Sequence, residues 1–599
     1  MPKVTDPVLE KYPNLVSMFL TRAAQKGDAP MLWAKRDGSW QSLSWLQVAE
    51  KVASLAAALR AEGIMPGDTV MLVSENRPEF CIADLAIMAA GAVTVPTYTT
   101  NTTRDHEHIL TDSGARAVIV STAKLARTLM PAVLRSRVEL VIGMEPLRAA
   151  QDSTAHMCDW DDLIAAHPAD VAGLTASLDK QRDDLACLIY TSGTGGSPRG
   201  VMQHHGAILC NVEGAAKLLI EDFGLDDEIF LSFLPLSHAY EHSGGQFLPI
   251  YIGAQIYYGE GLEKLASNIE EVKPTIMVVV PRLFEVLRTR MIKAVEKQGK
   301  LANFLLGQAM RVGGKAYRGE LSVIDRPMRF LVDRTIAPKI QARFGGRIKA
   351  LVSGGAPLNP DVGIFFRSLG ITLLQGYGQT EAGPVVSCNR PRAGIKMDTV
   401  GPPLDGVEVQ IAEDGEILVR GELVMHGYWR NPAETARALQ NGWLHTGDVG
   451  HLDEAGRIVI TDRKKDLIVN DKGENVSPQR VEGMLTLQEE IAQAMVSGDK
   501  RPYIVGLLVP DAEWEREFAA RRGLTVGPAL REQPDYQAAL RDAVDRVNGE
   551  LSGTEKVRRF VLADEPFTID NGELTPSIKI RRHIIRKRYA ERIDALYKG

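Results

Sequence analysis

Two periodicities alternate along the first third of the chain. Thr69–Ser74 is a continuous apolar run with the length of a buried strand, and Pro78–Ala90 places apolar residues at helical spacing. Val93–Pro96 reads as a strand, Arg104–Thr111 as a helix and Ala117–Ser121 as a strand. Apolar strands that alternate with helices predict a parallel sheet with helices on its faces. The pairing returns at Thr275–Val280 with Arg282–Arg290, and at Ile348–Ser353 just before Gly354-Gly355. Residues 286–345 carry a long, mostly helical pattern rich in basic side chains.

From about residue 400 the texture changes. Val407–Ile411 and Glu416–Val419 flank Asp414-Gly415, a dipeptide suited to a hairpin turn, and Arg457–Thr461 adds a strand. Beyond Arg463 come strands at Ala492–Ser497 and Tyr503–Val509, then charged helical patterns through 511–550. The fold class expected is α/β. Residues 1–463 form a large N-terminal domain of layered, parallel-rich sheets with helices, including a β-rich subdomain over 400–462. Residues 464–599 form a smaller α+β C-terminal domain, with the boundary near Asp462–Asp466.

Composition narrows the function classes. The 599 residues are 45% apolar and 24% charged, an ordinary globular balance. A net charge of −6 removes the electrostatic case for nucleic-acid binding, which needs a basic face. Five scattered cysteines without a CxxC pair fit a reducing compartment. Asp6, Glu10 and Lys11 interrupt any signal-like run before Leu15, and Leu85–Pro96 is too short to span a bilayer. A cytoplasmic protein is expected. Peripheral contact with the inner face of a membrane and a homodimer both stay open.

Candidate chemistry begins after the apolar run Leu185–Tyr190. Thr191-Ser192-Gly193-Thr194-Gly195-Gly196-Ser197-Pro198-Arg199-Gly200 is dense in glycine and hydroxyl groups, with a cation near its end. Glycines let backbone amides approach an anion closely, hydroxyls add donors and Arg199 adds charge. The Gly-Lys-Ser/Thr ending of a Walker A loop is missing, and Pro198 stands where a Rossmann fingerprint has its third glycine. Gly354, Gly355 and Ala356 follow a strand, at the carboxyl edge where such sheets bind ligands. Gln375-Gly376-Tyr377-Gly378-Gln379-Thr380-Glu381 offers an aromatic ring for a base, a hydroxyl for phosphate and a carboxylate for a hard cation. Asp448 offers a carboxylate that accepts two hydrogen bonds from a ribose diol. A rival pattern is His238-x-x-Glu241-His242, which matches a zinc-peptidase motif with two histidines four residues apart.

From roughly residue 15 to 590 these segments resemble the AMP-forming adenylating superfamily of acyl-CoA synthetases, luciferases and adenylation domains, nearest its long-chain fatty-acid–CoA ligase group. Two positions depart from the family loop: Gly195 replaces threonine and Arg199 replaces lysine. The resemblance implies that Thr191, Ser192, Gly193, Thr194, Gly195 and Arg199 surround ATP phosphates. It places Gly354, Gly355, Ala356, Gln375, Gly376, Tyr377 and Gly378 around the nucleotide, with Tyr377 stacked on adenine. Thr380 then contacts phosphate, Glu381 holds Mg2+, Asp448 binds the ribose and Arg463 reaches ribose or phosphate. His238, within Leu234–His242, becomes the gate beside the acyl group, Lys465 the domain hinge, and Gly473 and Glu474 part of the CoA path. Lys579, within Asn571–Ile580, becomes the adenylation lysine.

The reaction implied joins a fatty acid, ATP and CoA in two halves, through acyl-AMP with release of pyrophosphate, then acyl-CoA with release of AMP. Lys273–Glu285 resembles the start of the long-chain group's insertion, so a long or medium chain is expected. Four alternatives stand beside this reading: transfer of the acyl group to a carrier protein, an aryl or branched acid as substrate, a non-catalytic acyl or nucleotide sensor, and the zinc peptidase. The run from Lys579 to Arg592 holds seven basic residues, suited to CoA phosphates, an anionic membrane or a plain solvated helix face.

Overall fold

Every residue of Thr69–Val73 and Val93–Thr97 is buried, as a strand covered on both faces requires. In the computed structural model, which describes residues 9–147, 155–191, 198–472, 474–569, 571–575 and 580–598, these two strands lie inside a seven-stranded sheet. Its order is His156–Asp159, Leu140–Gly143, Ala117–Val120, Thr69–Val73, Val93–Thr97, Leu185–Thr191 and Arg199–His204. All neighbours are parallel except the last pair, which returns antiparallel across the 192–197 segment.

A second sheet has eight strands, in the order Val385–Cys388, Leu373–Gly378, Ala350–Ser353, Ile276–Val279, Ile229–Ser232, Gln255–Tyr258, Pro30–Arg36 and Ser39–Ser44. It is parallel in its middle and antiparallel at both edges. Helices lie between the two sheets. Pro78–Ala89 starts on a proline, whose missing N–H costs nothing at a helix N-terminus, and eleven of its twelve residues are buried. One apolar core joins this helix, Leu15–Lys26, Trp45–Ala61 and His205–Phe223 to strand residues of both sheets, such as Leu72 and Phe230. The layered α/β architecture expected from the apolar pattern is the one observed.

Glu408–Ile411, Glu416–Arg420, Trp443–Leu452, Leu439–Gln440 and Ile458–Arg463 form the β-rich unit, antiparallel throughout, with Gly415 at positive φ in the expected turn. Beyond it, Ile491–Ser497, Ile504–Pro510 and Val557–Leu562 make a three-stranded sheet with cores of its own on either face. Residues 286–345 are helical as expected, in Pro281–Glu296, Lys300–Arg318, Arg326–Thr335 and Ala337–Arg343.

Candidate active site

The carboxyl ends of Ala350–Ser353 and Leu373–Gly378 lie side by side, and backbone crowding there explains the glycines. A Cβ on Gly378 would lie 1.9 Å from the carbonyl oxygen of Pro384. A Cβ on Gly354 would lie 2.8 Å from the ring of Tyr240, whose hydroxyl donates to the Val352 carbonyl at 2.9 Å. Gly355 adopts a φ of +81°, a conformation that side chains rarely tolerate. Gln375 is buried, and its side-chain oxygen accepts no hydrogen bond among the described residues. An unpaired buried acceptor is costly, which makes Gln375 a candidate contact residue at this edge.

Tyr377, on the same strand, points its hydroxyl at Asp448 and donates to Oδ2 at 2.7 Å. Burial and the Asp448 charge push the phenol well above its ordinary value. Asp448 pairs across the β-rich unit with Arg463, whose Nε lies 3.3 Å from Oδ1. Two predicted residues from two sheets, Tyr377 and Arg463, therefore converge on the carboxylate of a third, Asp448. The sequence contains no direct sign of this contact, because Tyr377 and Asp448 are 71 positions apart.

A second group forms around Tyr428, which the sequence reading missed. Its hydroxyl donates to Oε1 of Glu381 at 2.8 Å, and the guanidinium of Arg199 lies 4.4 Å over its ring. Arg199 donates to Glu434 at 2.7 Å and stands opposite Thr191 in the strand register. The second oxygen of Glu381 accepts no hydrogen bond among the described residues. Gln203 donates to the Thr380 carbonyl at 2.7 Å, tying this turn to the strand that follows the glycine-rich loop. The available signal was Gly427-Tyr428-Trp429, an aromatic pair just before Arg430-Asn431-Pro432. Ala356 follows Gly355 in the same loop, and Gly376 sits opposite Cys388. Ser192, Gly193, Thr194, Gly195, Gly473 and Lys579 lie outside the described residues.

The zinc-peptidase pattern is overturned. His238 is half-buried at a helix start, with extended backbone angles, and its Nδ1 accepts from the Tyr240 amide at 3.2 Å. His242 is fully buried and turned the other way, with Nε2 2.8 Å from Asp84, which also accepts from Gln246 at 2.7 Å. Among the described residues, His238, Glu241 and His242 do not bring ligand atoms together. A π-helical turn at His242–Phe247 replaces the regular helix that the four-residue spacing presumed.

Glu241 is buried and accepts from Ser232 at 2.6 Å, and desolvation pushes its carboxyl up to about 8 from an ordinary 4.5. The folded chain therefore holds a proton that the unfolded chain releases between those values, so this group lowers stability as pH rises through that window and adds no slope above it. Glu241→Gln is expected to flatten the fall in thermal midpoint between about pH 5 and pH 8. Parallel wild-type and variant melting curves across that range would remove the assignment.

The C-terminal residues show how the basic run is used. Arg582 grips Glu482 through two hydrogen bonds of 2.6 and 2.5 Å, Arg588 reaches Glu573 and Glu565, and Arg592 reaches Asp564. Three of the run's six described basic residues, Arg582, Arg588 and Arg592, are therefore held in internal ion pairs. Lys465 is exposed in the turn after Arg463, and Glu474 accepts from Asn470 at 2.8 Å.

The AMP-binding enzyme family matches residues 19–429, and the AMP-binding enzyme C-terminal domain matches residues 465–599. A long-chain-fatty-acid–CoA ligase of Mycobacterium bovis is 33% identical over 595 residues, covering 98% of this chain and 97% of that protein. Human long-chain-fatty-acid–CoA ligase 6 is 30% identical, covering 98% and 86%. Among solved structures, the adenylation domain of a carboxylate reductase from Mycobacterium chelonae superposes with a TM-score of 0.75 at 22% identity, covering 98% of this chain and 92% of that one. A benzoate CoA ligase from Burkholderia xenovorans gives 0.70 at 20%, covering 96% and 99%. These two share the fold.

Proposed function

The chain belongs to the AMP-binding enzyme family, and on that premise we propose that it is an ATP-dependent, AMP-forming fatty-acid–CoA ligase acting on long or medium chains. The observation that carries the reading is the convergence of Tyr377, Asp448 and Arg463 beside the Glu381–Tyr428–Arg199 group, in a chain similar over nearly its whole length to long-chain ligases.

A carboxylate is a poor acylating agent, and joining it to AMP supplies a good leaving group. The step is mostly positioning and charge stabilisation. In this reading Asp448 and Arg463 receive the ribose, the glycine edge at 354–356 and 375–378 receives the base, and the glycine-rich loop with Thr380 receives the phosphates. Glu381 supports a site for Mg2+, since a hard carboxylate oxygen without a competing donor suits that ion. When bound, Mg2+ supplies charge neutralisation at the phosphates. His238, half-buried beside the Tyr240 contact with Gly354, suits a gate between acyl chain and nucleotide. Residues 464–599, with separate cores, suit a domain that turns about Lys465 between the two half-reactions.

The test is ATP–pyrophosphate exchange across carboxylic acids from acetate to oleate, repeated with CoA to detect thioester. Exchange and thioester peaking together at longer chains are the expected result. Exchange without thioester transfers the reading to a carrier-protein acceptor, and no exchange with any acid ends it.

A further inference from the structure

The helical stretch 286–345 does not share the charge of the rest of the chain. It holds thirteen Lys and Arg against four Asp and Glu, a net +9 in a protein of net −6, which leaves −15 elsewhere. One face of the stretch is fixed inward. Ala309, Val312 and Val332 are buried against a core that includes Phe365 and Phe366, and a Cβ on Gly313 would lie 2.2 Å from that of Ser368. The tight contact leaves the helix Lys300–Arg318 no freedom to turn its outer face inward. Phe304, Arg311 and Arg318 recur on that outer face at seven-residue spacing.

The outer face is apolar as well as basic. Leu301 is 72% exposed, Phe304 56%, Val323 72%, Ile324 90% and Phe330 62%. With Leu331 these make six of the fifteen exposed large apolar side chains among the described residues, within 31 positions of 599. Such bunching marks an interaction surface, because singly scattered apolar residues are the norm. The single buried acid here, Asp325, is shared by Arg311 at 2.8 Å and Lys315 at 3.0 Å, so one cation stays in excess. Arg334 lies 5.1 Å over the Phe330 ring, and Lys300, Arg326, Lys339 and Arg343 form no ion pair among the described residues.

We infer that this insertion is a membrane-docking face for an anionic phospholipid bilayer. Apolar side chains at helix turns enter the headgroup boundary while neighbouring cations meet lipid phosphates at an anionic surface. Charge complementarity selects the anionic lipid. The apolar residues are carried on two helices and the turn Val323–Asp325, which pack on one another. Contact is peripheral, since no helix among the described residues is long and apolar enough to cross a membrane. On the fatty-acid reading, docking brings the enzyme to the phase in which its substrate dissolves.

The experiment is co-sedimentation of the full-length protein with phosphatidylcholine vesicles, with and without phosphatidylglycerol, at rising salt. Wild type is expected to bind only the phosphatidylglycerol vesicles and to be released by salt. The double variant Phe304→Asp, Ile324→Asp is expected to bind at least about tenfold more weakly, with an unchanged thermal midpoint, because both side chains are exposed. Equal binding by the double variant, equal binding to neutral vesicles, or binding to poly-glutamate with none to vesicles overturns the inference. Sedimentation is read without turnover, so its failure is distinct from a failure of pyrophosphate exchange.

Discussion

Lys579→Ala is expected to slow acyl-adenylate formation by on the order of 10^2–10^3-fold while leaving thioester formation from supplied acyl-AMP near the wild-type rate. Negative charge gathers between an attacking carboxylate and the α-phosphate, and a positioned ammonium stabilises it more in the transition state than in the bound substrates. The second half-reaction, a thiol displacing AMP, does not pass through that charge distribution. The chain that follows Lys579 is firmly held. Three residues further on, Arg582 is clamped to Glu482, and Glu482 in turn accepts from the Val496 amide at 2.7 Å, so the chain leaving this segment is anchored to a strand. Pyrophosphate exchange reads the first half-reaction, and acyl-CoA release from synthetic acyl-AMP reads the second. Unchanged exchange would take Lys579 out of the mechanism, and equal losses in both assays would make it a structural residue.

Much of the fold was legible because buried parallel strands are short, uniformly apolar runs. Thr69–Val73, Val93–Thr97, Ala117–Val120 and Ile276–Val279 lie within a residue or two of the boundaries their apolar runs predict. Long-range pairing was not legible. Pro30–Arg36 joins the second sheet through Gln255–Tyr258, more than two hundred residues away, and nothing local records that register. The site divides in the same way. Gly354 was readable as the carboxyl edge of a strand, whereas the atoms that crowd Gly354 and Gly378 are supplied by the structure alone. The contacts of Tyr377 with Asp448 and of Tyr428 with Glu381 were hidden, since each joins residues set by tertiary packing. The zinc motif, a rival reading, fails for the same reason. Its spacing presumed a regular helix, whereas Asp84, from a helix in the layer between the sheets, captures His242.

Asp448→Ala is expected to raise the KM for ATP by roughly 10–100-fold, with a much smaller effect on the KM for the acid. A hydrogen bond to a charged group is worth about 1.5–3 kcal/mol, and about 1.4 kcal/mol is one decade of affinity. The carboxylate has two jobs in this geometry. It accepts from the Tyr377 hydroxyl and lies 3.3 Å from Arg463, so it aligns both side chains before any nucleotide arrives. Alanine leaves a buried phenol without its acceptor, which lowers stability by about 1–3 kcal/mol as well. Asp448→Asn separates the two roles. Its amide oxygen still accepts from Tyr377, so the thermal midpoint should recover, while the loss of the negative charge facing Arg463 and the weaker acceptor for a ribose diol should leave ATP binding impaired. Recovery of both properties in the asparagine variant would reduce Asp448 to a packing partner of Tyr377. Loss of ATP affinity with a restored midpoint would fix the carboxylate charge as the nucleotide contact.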